Sequence, residues 1–461
     1  MSATPVILIF DIGKTNKKLV LFDEQYRLVS ERSVQLPETK DEDGDPCEDV
    51  NLLTNWVQRS FWEISSNPDY EISAVSFSAY GASFVHLNDY YKPVAPLYNY
   101  LKPYPADLKK QFYDTYGGEI NVSKQTASPV LGNLNSGMQL YRLKYQKPDI
   151  YYQIKYSLHL PQFLSYLISA GVYSDITSIG CHTNLWDFTR NDYHEWVYRE
   201  GIDVKLAPIY NGDEVVRISY GGKQIPVGVG LHDSSAALIP YLANFHEPFV
   251  LISTGTWCIS LNPFNRSPLT VDELERDCLF YIAYEGNPVK ASRLFAGYEH
   301  EEQTRRLASH YQTDLNRYSS VAYNPEIIEK IRAGQTNLQG EKETSGILKK
   351  SLFGDRDLSA YPSYDEAYHQ LIADLISLQF AATSLILKDS PVKRIFVDGG
   401  FSKNPIYMHL LAAAFPDIEV FAASVAQATA MGAALAIHKH WNTRALPGDI
   451  IDLKYYVTQE S

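Results

Sequence analysis

Gly228-Val229-Gly230-Leu231-His232-Asp233-Ser234-Ser235-Ala236-Ala237 sets an imidazole and a carboxylate side by side, between a glycine-rich turn and a run of small residues. Glycine opens backbone conformations closed to other residues, and Ser or Asp at a helix start caps free N–H groups, so the stretch predicts a strand, a tight turn and a helix. Such a corner aims side chains at a cleft. An isolated Asp before small residues reads simply as a helix cap. Two further stretches, one toward each end of the chain, point instead to chemistry.

Toward the N-terminus, Val6 to Phe10 is a continuous apolar run of the kind a buried strand shows, and Leu19 to Phe22 returns as a second strand. Between them lies Asp11-Ile12-Gly13-Lys14-Thr15-Asn16-Lys17-Lys18. This turn suits a phosphate held by backbone N–H groups and cations, with Asp11 near an accompanying Mg²⁺. Standing alone it reads equally as a solvated hairpin tip.

Residues 26–36 alternate as a third strand, Glu38 to Asp49 reads as an acidic loop, and Val50 to Ile64 has helical spacing. Ile72 to Ser78 is a further strand, ending in Ala79-Tyr80-Gly81-Ala82-Ser83. Gly81 and its small neighbours let a polar ligand approach the backbone, although a plain turn explains them too. Loops and short helices are expected over 93–137, and amphipathic helices over 134–143 and 161–170. Thr177 to Phe188 mixes hydrogen-bonding and apolar groups; His182 within it has no second histidine at metal spacing and reads as structural.

In the C-terminal half, Pro248 to Ile252 is a strand, Ser253-Thr254-Gly255-Thr256-Trp257 a small polar turn, and Cys258 to Leu261 the returning strand. The plan repeats the first hairpin, and two such turns across a cleft can grip successive phosphates of one nucleotide. A loop is expected over 333–344, and a helix over Tyr364 to Leu387, with Ser363 and Glu366 at capping-box spacing. Arg394 to Val397 opens into Asp398-Gly399-Gly400-Phe401-Ser402-Lys403-Asn404-Pro405 and a helix to Ala414. Paired glycines leading into a helix start permit close ligand approach, but the third glycine of a dinucleotide fingerprint is missing. Ser424 to His440 reads as a small-residue helix able to pack very closely.

The chain's 461 residues exceed one core and imply two domains. A net charge of −13 and a pI near 5.4 disfavour nucleic acid and anionic membranes as partners. Cys47, Cys181, Cys258 and Cys278 show neither metal-ligand nor dense disulfide spacing, which suits a reducing cytoplasm. No leader pattern and no apolar run of about 20 residues is apparent, so neither secretion nor membrane spanning is expected.

Taken in order, these stretches resemble the FGGY carbohydrate kinases of the actin, hexokinase and heat-shock ATPase superfamily, over nearly the whole chain. Asp11 to Lys18 looks like that family's first phosphate motif, Asp233 like its catalytic aspartate, Ser253 to Trp257 like its second phosphate motif, and Asp398 to Asn404 like its adenosine motif. The resemblance implies an α/β, two-lobed actin-like (ribonuclease H-like) fold, with duplicated mixed-sheet domains around a cleft. It places an N-terminal sugar-binding domain at 1–234 and a C-terminal nucleotide-binding domain at 235–461. It further implies ATP and Mg²⁺ as cofactors, Asp233 as base and Asp11 toward the metal. ATP would be bound by Gly13, Thr15, Asn16, Lys17, Lys18, Ser253, Thr254, Gly255, Thr256, Gly399, Gly400, Phe401 and Asn404.

The pair His232-Asp233 resembles rhamnulose and fuculose kinases, and Tyr80 to Val85 is similar to a sugar-contacting segment of rhamnulose kinases. Gly81, Ala82, Asn184 and His232 are therefore expected at the sugar, and a 6-deoxyketohexose is the expected substrate, with xylulose or another ketose as the alternative. Lys14, Ser83, Leu101 and Phe401 depart from the usual pattern. The expected partners are sugar and ATP, with a homodimer admitted. A non-catalytic sugar or nucleotide sensor on the same fold is the other class of reading, and it leaves the retained carboxylates and both phosphate turns without a task. A filament subunit would leave the sugar-facing segment unexplained.

Overall fold

The computed structural model describes residues 3–335 and 351–457. Strands β1 (Thr4–Ile12), β2 (Lys17–Phe22) and β3 (Leu28–Val34) form an antiparallel meander. Helix α1 (Val50–Ser65) then carries the chain across, and β4 (Tyr70–Ala79) returns parallel to β1. The Asp49 carboxylate caps α1 by accepting the Asn51 and Leu52 amides, and Val50, Leu53, Val57 and Ile64 make its buried stripe. After helix α2 (Leu160–Ser169), the hairpin β5 (Val215–Tyr220) and β6 (Lys223–Gly228) and the short β7 (Leu231–His232) complete the sheet. Its order is β5-β6-β4-β1-β2-β3, with β7 also beside β4.

Helix α3 (Asp233–Asn244) leads into a second sheet of the same plan and crosses residue 234, where the domain division was expected. Here β8 (Phe249–Thr254) and β9 (Cys258–Asn262) form the hairpin, extended by β10 (Cys278–Ile282) and β11 (Pro288–Leu294). Helix α4 (Tyr364–Leu387) crosses to β12 (Arg394–Gly399), parallel to β8. Helix α5 (Pro405–Ala414), β13 (Glu419–Val425), helix α6 (Ala428–Ala436) and β14 (Ile451–Tyr456) follow. The order is β10-β11-β9-β8-β12-β13-β14. Each sheet has seven strands, and in each the first strand lies between an antiparallel hairpin partner and a parallel strand. The two-lobed, duplicated mixed-sheet architecture is the one expected.

Helices α3 and α6, one from each half, pack directly on each other, and α6 also lies against β1 and β4 of the first sheet. Contact is close enough that a Cβ on Gly432 would stand 1.8 Å from the Ala236 carbonyl oxygen. One core cluster runs through both halves, joining Ile7, Ile9, Ile239, Leu251, Phe396 and Ala433. The lobes are thus coupled through crossed helices and not through a bare linker.

Four local expectations change. The 38–49 loop contains two short paired strands, Glu38–Lys40 and Pro46–Glu48. Residues 333–335 end a helix, Pro325–Gln335, and the remainder of the loop expected over 333–344 lies outside the described residues. Ser424 and Val425 belong to β13, so the small-residue helix starts only at Ala428. Finally, α4 is long and apolar enough to cross a membrane, which the sequence reading did not anticipate. Packed on β9 and β11, with Leu371, Ile372 and Leu375 fully buried, it is the core helix of the second lobe.

Candidate active site

Parallel register assembles the site. Asp11 of β1 pairs with Ser78 of β4, and Ser78 with Leu231 of β7; Ile12, Ala79 and His232 form the next row. Asp11 and Asp233 therefore emerge at the carboxyl ends of strands on one edge of the first sheet, where α/β folds gather their ligands. Asp11 is buried, and its carboxyl is pushed up to about 6, chiefly by burial and further by the Asp233 charge. Thr429 and Lys18 oppose the shift. The Thr429 hydroxyl, in the first turn of α6, donates to Asp11 Oδ2 at 2.6 Å.

Asp233 opens α3 but does not cap it as expected, because His232 occupies the cap position. Its Oδ1 accepts the amide of the adjacent Ser234 at 2.6 Å, and the first-turn position suits a carboxylate in the helix dipole. The Asp233 side chain is 34% exposed and that of His232 only 4%, so the carboxylate faces the cleft and the imidazole stands behind it. His232 Nε2 lies 3.2 Å from Asp233 Oδ1 and 3.1 Å from Cys181 Sγ. The ring stacks on Tyr281 with centroids 5.5 Å apart, and its backbone N–H donates to Thr177 Oγ1. Burial holds the imidazole below its ordinary value, against the pull of Asp233, which keeps it neutral near pH 7.

The sugar-side expectations separate here. Gly81 covers His232: a Cβ there would stand 2.7 Å from the imidazole Cδ2, so the missing side chain serves the histidine. Ala82 has φ +59° and is buried, with its carbonyl accepting Gln139 Nε2. Asn184 does not offer its amide to a sugar. Its Nδ2 donates to the Tyr113 hydroxyl, its Oδ1 accepts from Thr126, and its φ of +60° is one that asparagine tolerates.

Among the phosphate residues, Thr15 and Asn16 are exposed at the tip and Gly13 is half-buried. Lys17 turns inward instead of reaching a phosphate: its amine donates to the Gly13 and Lys14 carbonyls and to Glu48. Lys18 projects from the opposite face of β2 and donates to Gln427 Oε1 at 2.6 Å. In the second turn Gly255 and Thr256 are exposed and Ser253 is half-buried. Thr254 is a weld between β8 and β12, donating to the Asp398 carbonyl and accepting the Phe401 amide. Gly399 has φ +91° and packs on the Thr254 carbonyl, whereas Gly400 faces open space. Phe401 stacks inward on Tyr407, and Asn404 caps α5 through Oδ1 while its Nδ2 donates to Tyr368. Neither side chain is offered to a nucleotide.

Sequence reading missed Thr429, Cys181, Glu48 and Tyr100. Tyr100 stands near enough to Asp233 that its phenol is pushed up to about 12, first by burial and then by the Asp233 and Glu48 charges. Thr429 lies 418 residues from Asp11, and no local pattern announces the pairing. The donor set fits a hard cation: two carboxylates repel across the site, and one of them is buried with its ionised form disfavoured.

Comparison with known proteins identifies the family. Residues 6–240 match the N-terminal domain of the FGGY family of carbohydrate kinases, and residues 246–445 match the C-terminal domain of carbohydrate kinase FGGY. A carbohydrate kinase from Novosphingobium aromaticivorans superposes with a TM-score of 0.79 at 22% identity, covering 99% of this chain and 95% of that one. A ligand-bound xylulose kinase from Lactobacillus acidophilus gives 0.79 at 16%, covering 99% and 94%. Plasmodium falciparum glycerol kinase with ADP gives 0.73 at 14%, covering 95% and 91%. At these identities the likeness shows the shared fold. With both family domains matched in order along its length, the chain belongs to the FGGY family of carbohydrate kinases.

Proposed function

We propose that this kinase transfers the γ-phosphoryl group of ATP to a primary hydroxyl of a ketose, with Asp233 as general base. The observation that carries the reading is the cleft-facing carboxylate of Asp233, beside buried Asp11 and braced from behind by neutral His232. Asp233 accepts the hydroxyl proton as the sugar oxygen attacks in line. The exposed groups at Thr15, Asn16, Gly255 and Thr256 and the open backbone at Gly400 orient the nucleotide. Asp11 would hold Mg²⁺, mainly through water. When bound, that ion neutralises charge on the transferring phosphates. The sugar lies toward residues 1–234 and the nucleotide toward 235–461, and closure of the lobes excludes water.

A 6-deoxyketohexose such as rhamnulose or fuculose is the preferred substrate in this reading. It rests on the His232-Asp233 pair. Xylulose, gluconate and glycerol are the substrates named for structurally similar kinases, so they belong in the comparison. The four cysteines are all buried and none is joined in a disulfide, which fits a reducing compartment. ADP release measured against rhamnulose, fuculose, xylulose, gluconate and glycerol tests the proposal. The highest kcat/KM is expected with a deoxyketohexose. Preference for another substrate rejects that choice, and no substrate-dependent ADP release rejects the kinase reading in favour of a sensor.

A further inference from the structure

Behind the proposed base lies a second constellation, of which the proposed phosphoryl transfer uses only His232, as a support for Asp233. Cys181, His182 and His232 are buried, and each offers a ligand atom within 4.8 Å of the others. The sequence gives no hint of it, since His232 lies 51 residues beyond Cys181. A tetrahedral ion with bonds of about 2.0 to 2.3 Å holds its donors roughly 3.3 to 3.6 Å apart. Cys181 Sγ and Asp233 Oδ1 stand 3.1 Å and 3.2 Å from His232 Nε2, so small shifts suffice to admit an ion.

His182 is oriented as metal-binding histidines are. Its Nδ1 faces the Leu134 carbonyl at 3.0 Å, and because a carbonyl only accepts, Nδ1 carries the proton and Nε2 keeps its lone pair. The His182 backbone has φ +39°, a strained value for a residue with a side chain. His232 Nδ1 is buried with no hydrogen-bond partner among the described residues, so the ring proton can move to it when Nε2 is taken.

We propose that Cys181, His182 and His232 form a site for a thiophilic divalent cation such as Zn²⁺, with Asp233 as fourth ligand, and that its occupancy stops phosphoryl transfer. Coordination releases the Cys181 thiol proton to solvent, shifts the His232 proton from Nε2 to Nδ1 and engages Asp233 through Oδ1, which lowers the basicity of the oxygen that would accept the sugar proton. The ion enters through Asp233, the one ligand open to the cleft. Mg²⁺, which prefers oxygen donors, does not compete for a sulfur and two imidazoles. The inhibitory half rests on Asp233 being the base; the site itself does not.

Co²⁺ titration of the full-length enzyme is the test. The expected signal is sulfur-to-cobalt charge-transfer absorption with tetrahedral d–d bands, reversed by Zn²⁺. Cys181→Ser should remove the charge-transfer band, and His182→Gln should weaken binding at least about tenfold. No band in the wild-type protein, or an intact band in Cys181→Ser, overturns the site. Zn²⁺ should also raise the melting temperature of the wild-type protein, a readout that needs no variant to fold, and no shift counts against the site. At saturating Mg·ATP, Zn²⁺ should lower turnover, with each variant, relative to its own activity, resisting at least about tenfold more Zn²⁺. Zn²⁺ that displaces cobalt and leaves turnover unchanged overturns the inhibitory half alone. The cobalt signal is read without turnover, so failure of the kinase reading is recorded separately.

Discussion

His232 Nε2 lies 3.2 Å from Asp233 Oδ1, while the histidine is almost wholly buried and the aspartate is one-third exposed. This places the residue before the proposed base behind it, where it can support the carboxylate. The neutral imidazole, its Nε2 hydrogen-bonded with Cys181 Sγ, lies against Asp233 Oδ1 and leaves the other carboxylate oxygen to face an incoming hydroxyl. The arrangement separates two roles that adjacent residues leave confounded in sequence.

For Asp233→Asn, kcat should fall by about 10² to 10⁴, the usual worth of a positioned base, with sugar affinity nearly unchanged. Steady-state kinetics with calorimetric sugar binding check this. Turnover close to wild type removes Asp233 from the mechanism.

His232→Gln should lower kcat by roughly tenfold or more with little change in sugar KM, because the substitution disturbs a group that acts through Asp233. A raised KM with kcat intact would instead mark His232 as a sugar contact, the other role the sequence leaves open.

Lys17 and Glu48 form a buried pair, 3.0 Å apart and 2% and 6% exposed. Removing Lys17 leaves Glu48 only the more distant Lys14, 3.8 Å away, so Lys17→Met should cost up to about 3–5 kcal/mol in urea unfolding. Adding Glu48→Gln should recover part of that loss, since the poorly compensated carboxylate is then gone. If Lys17 were only a phosphate contact, Lys17→Met would raise the KM for ATP and leave unfolding unchanged.

Asp11 supplies a pH dependence. Its folded value of about 6 lies above the ordinary 3.8, so the fold favours the protonated carboxyl. That contribution is full below 3.8 and is lost as pH rises through about 6. Asp11→Asn, measured without nucleotide, should therefore gain stability relative to wild type between about pH 4.5 and about pH 7.5. It should also lose most of its activity. A stability difference that stays flat across that range would show that burial does not shift Asp11.

Much of this fold was readable because its central strands are buried on both faces. Val6 to Phe10 and Phe249 to Ile252 appear as unbroken apolar runs, and each announces a hairpin. Ser363 was readable as a cap, and its hydroxyl accepts the Glu366 amide. The site was less open. Lys17 and Lys18 are chemically identical neighbours, and only strand alternation together with Glu48 decides which one is consumed inside. Asn184 looked like a ligand group because its residue type suits both a sugar and a left-handed backbone, and the backbone claimed it. Thr429 and Tyr100 reach the carboxylates only through tertiary packing.

The same packing yields the most demanding prediction. Helix α3 starts at Asp233 and helix α6 carries Thr429, so their crossing sets the positions of both site carboxylates. At that crossing a Cβ on Gly432 would lie 1.8 Å from the Ala236 oxygen and 2.6 Å from its carbonyl carbon. Both are backbone atoms, so no side chain can rotate away and the helices must separate. Gly432→Ala should therefore cost at least about 1–3 kcal/mol, the range for overpacking, and lower kcat by shifting Asp233 relative to Asp11. Gly448→Ala is the control, because a Cβ there meets nothing within 4 Å. Urea unfolding and kcat measured on both variants decide the matter: equal behaviour would mean that the helices cross with room to spare.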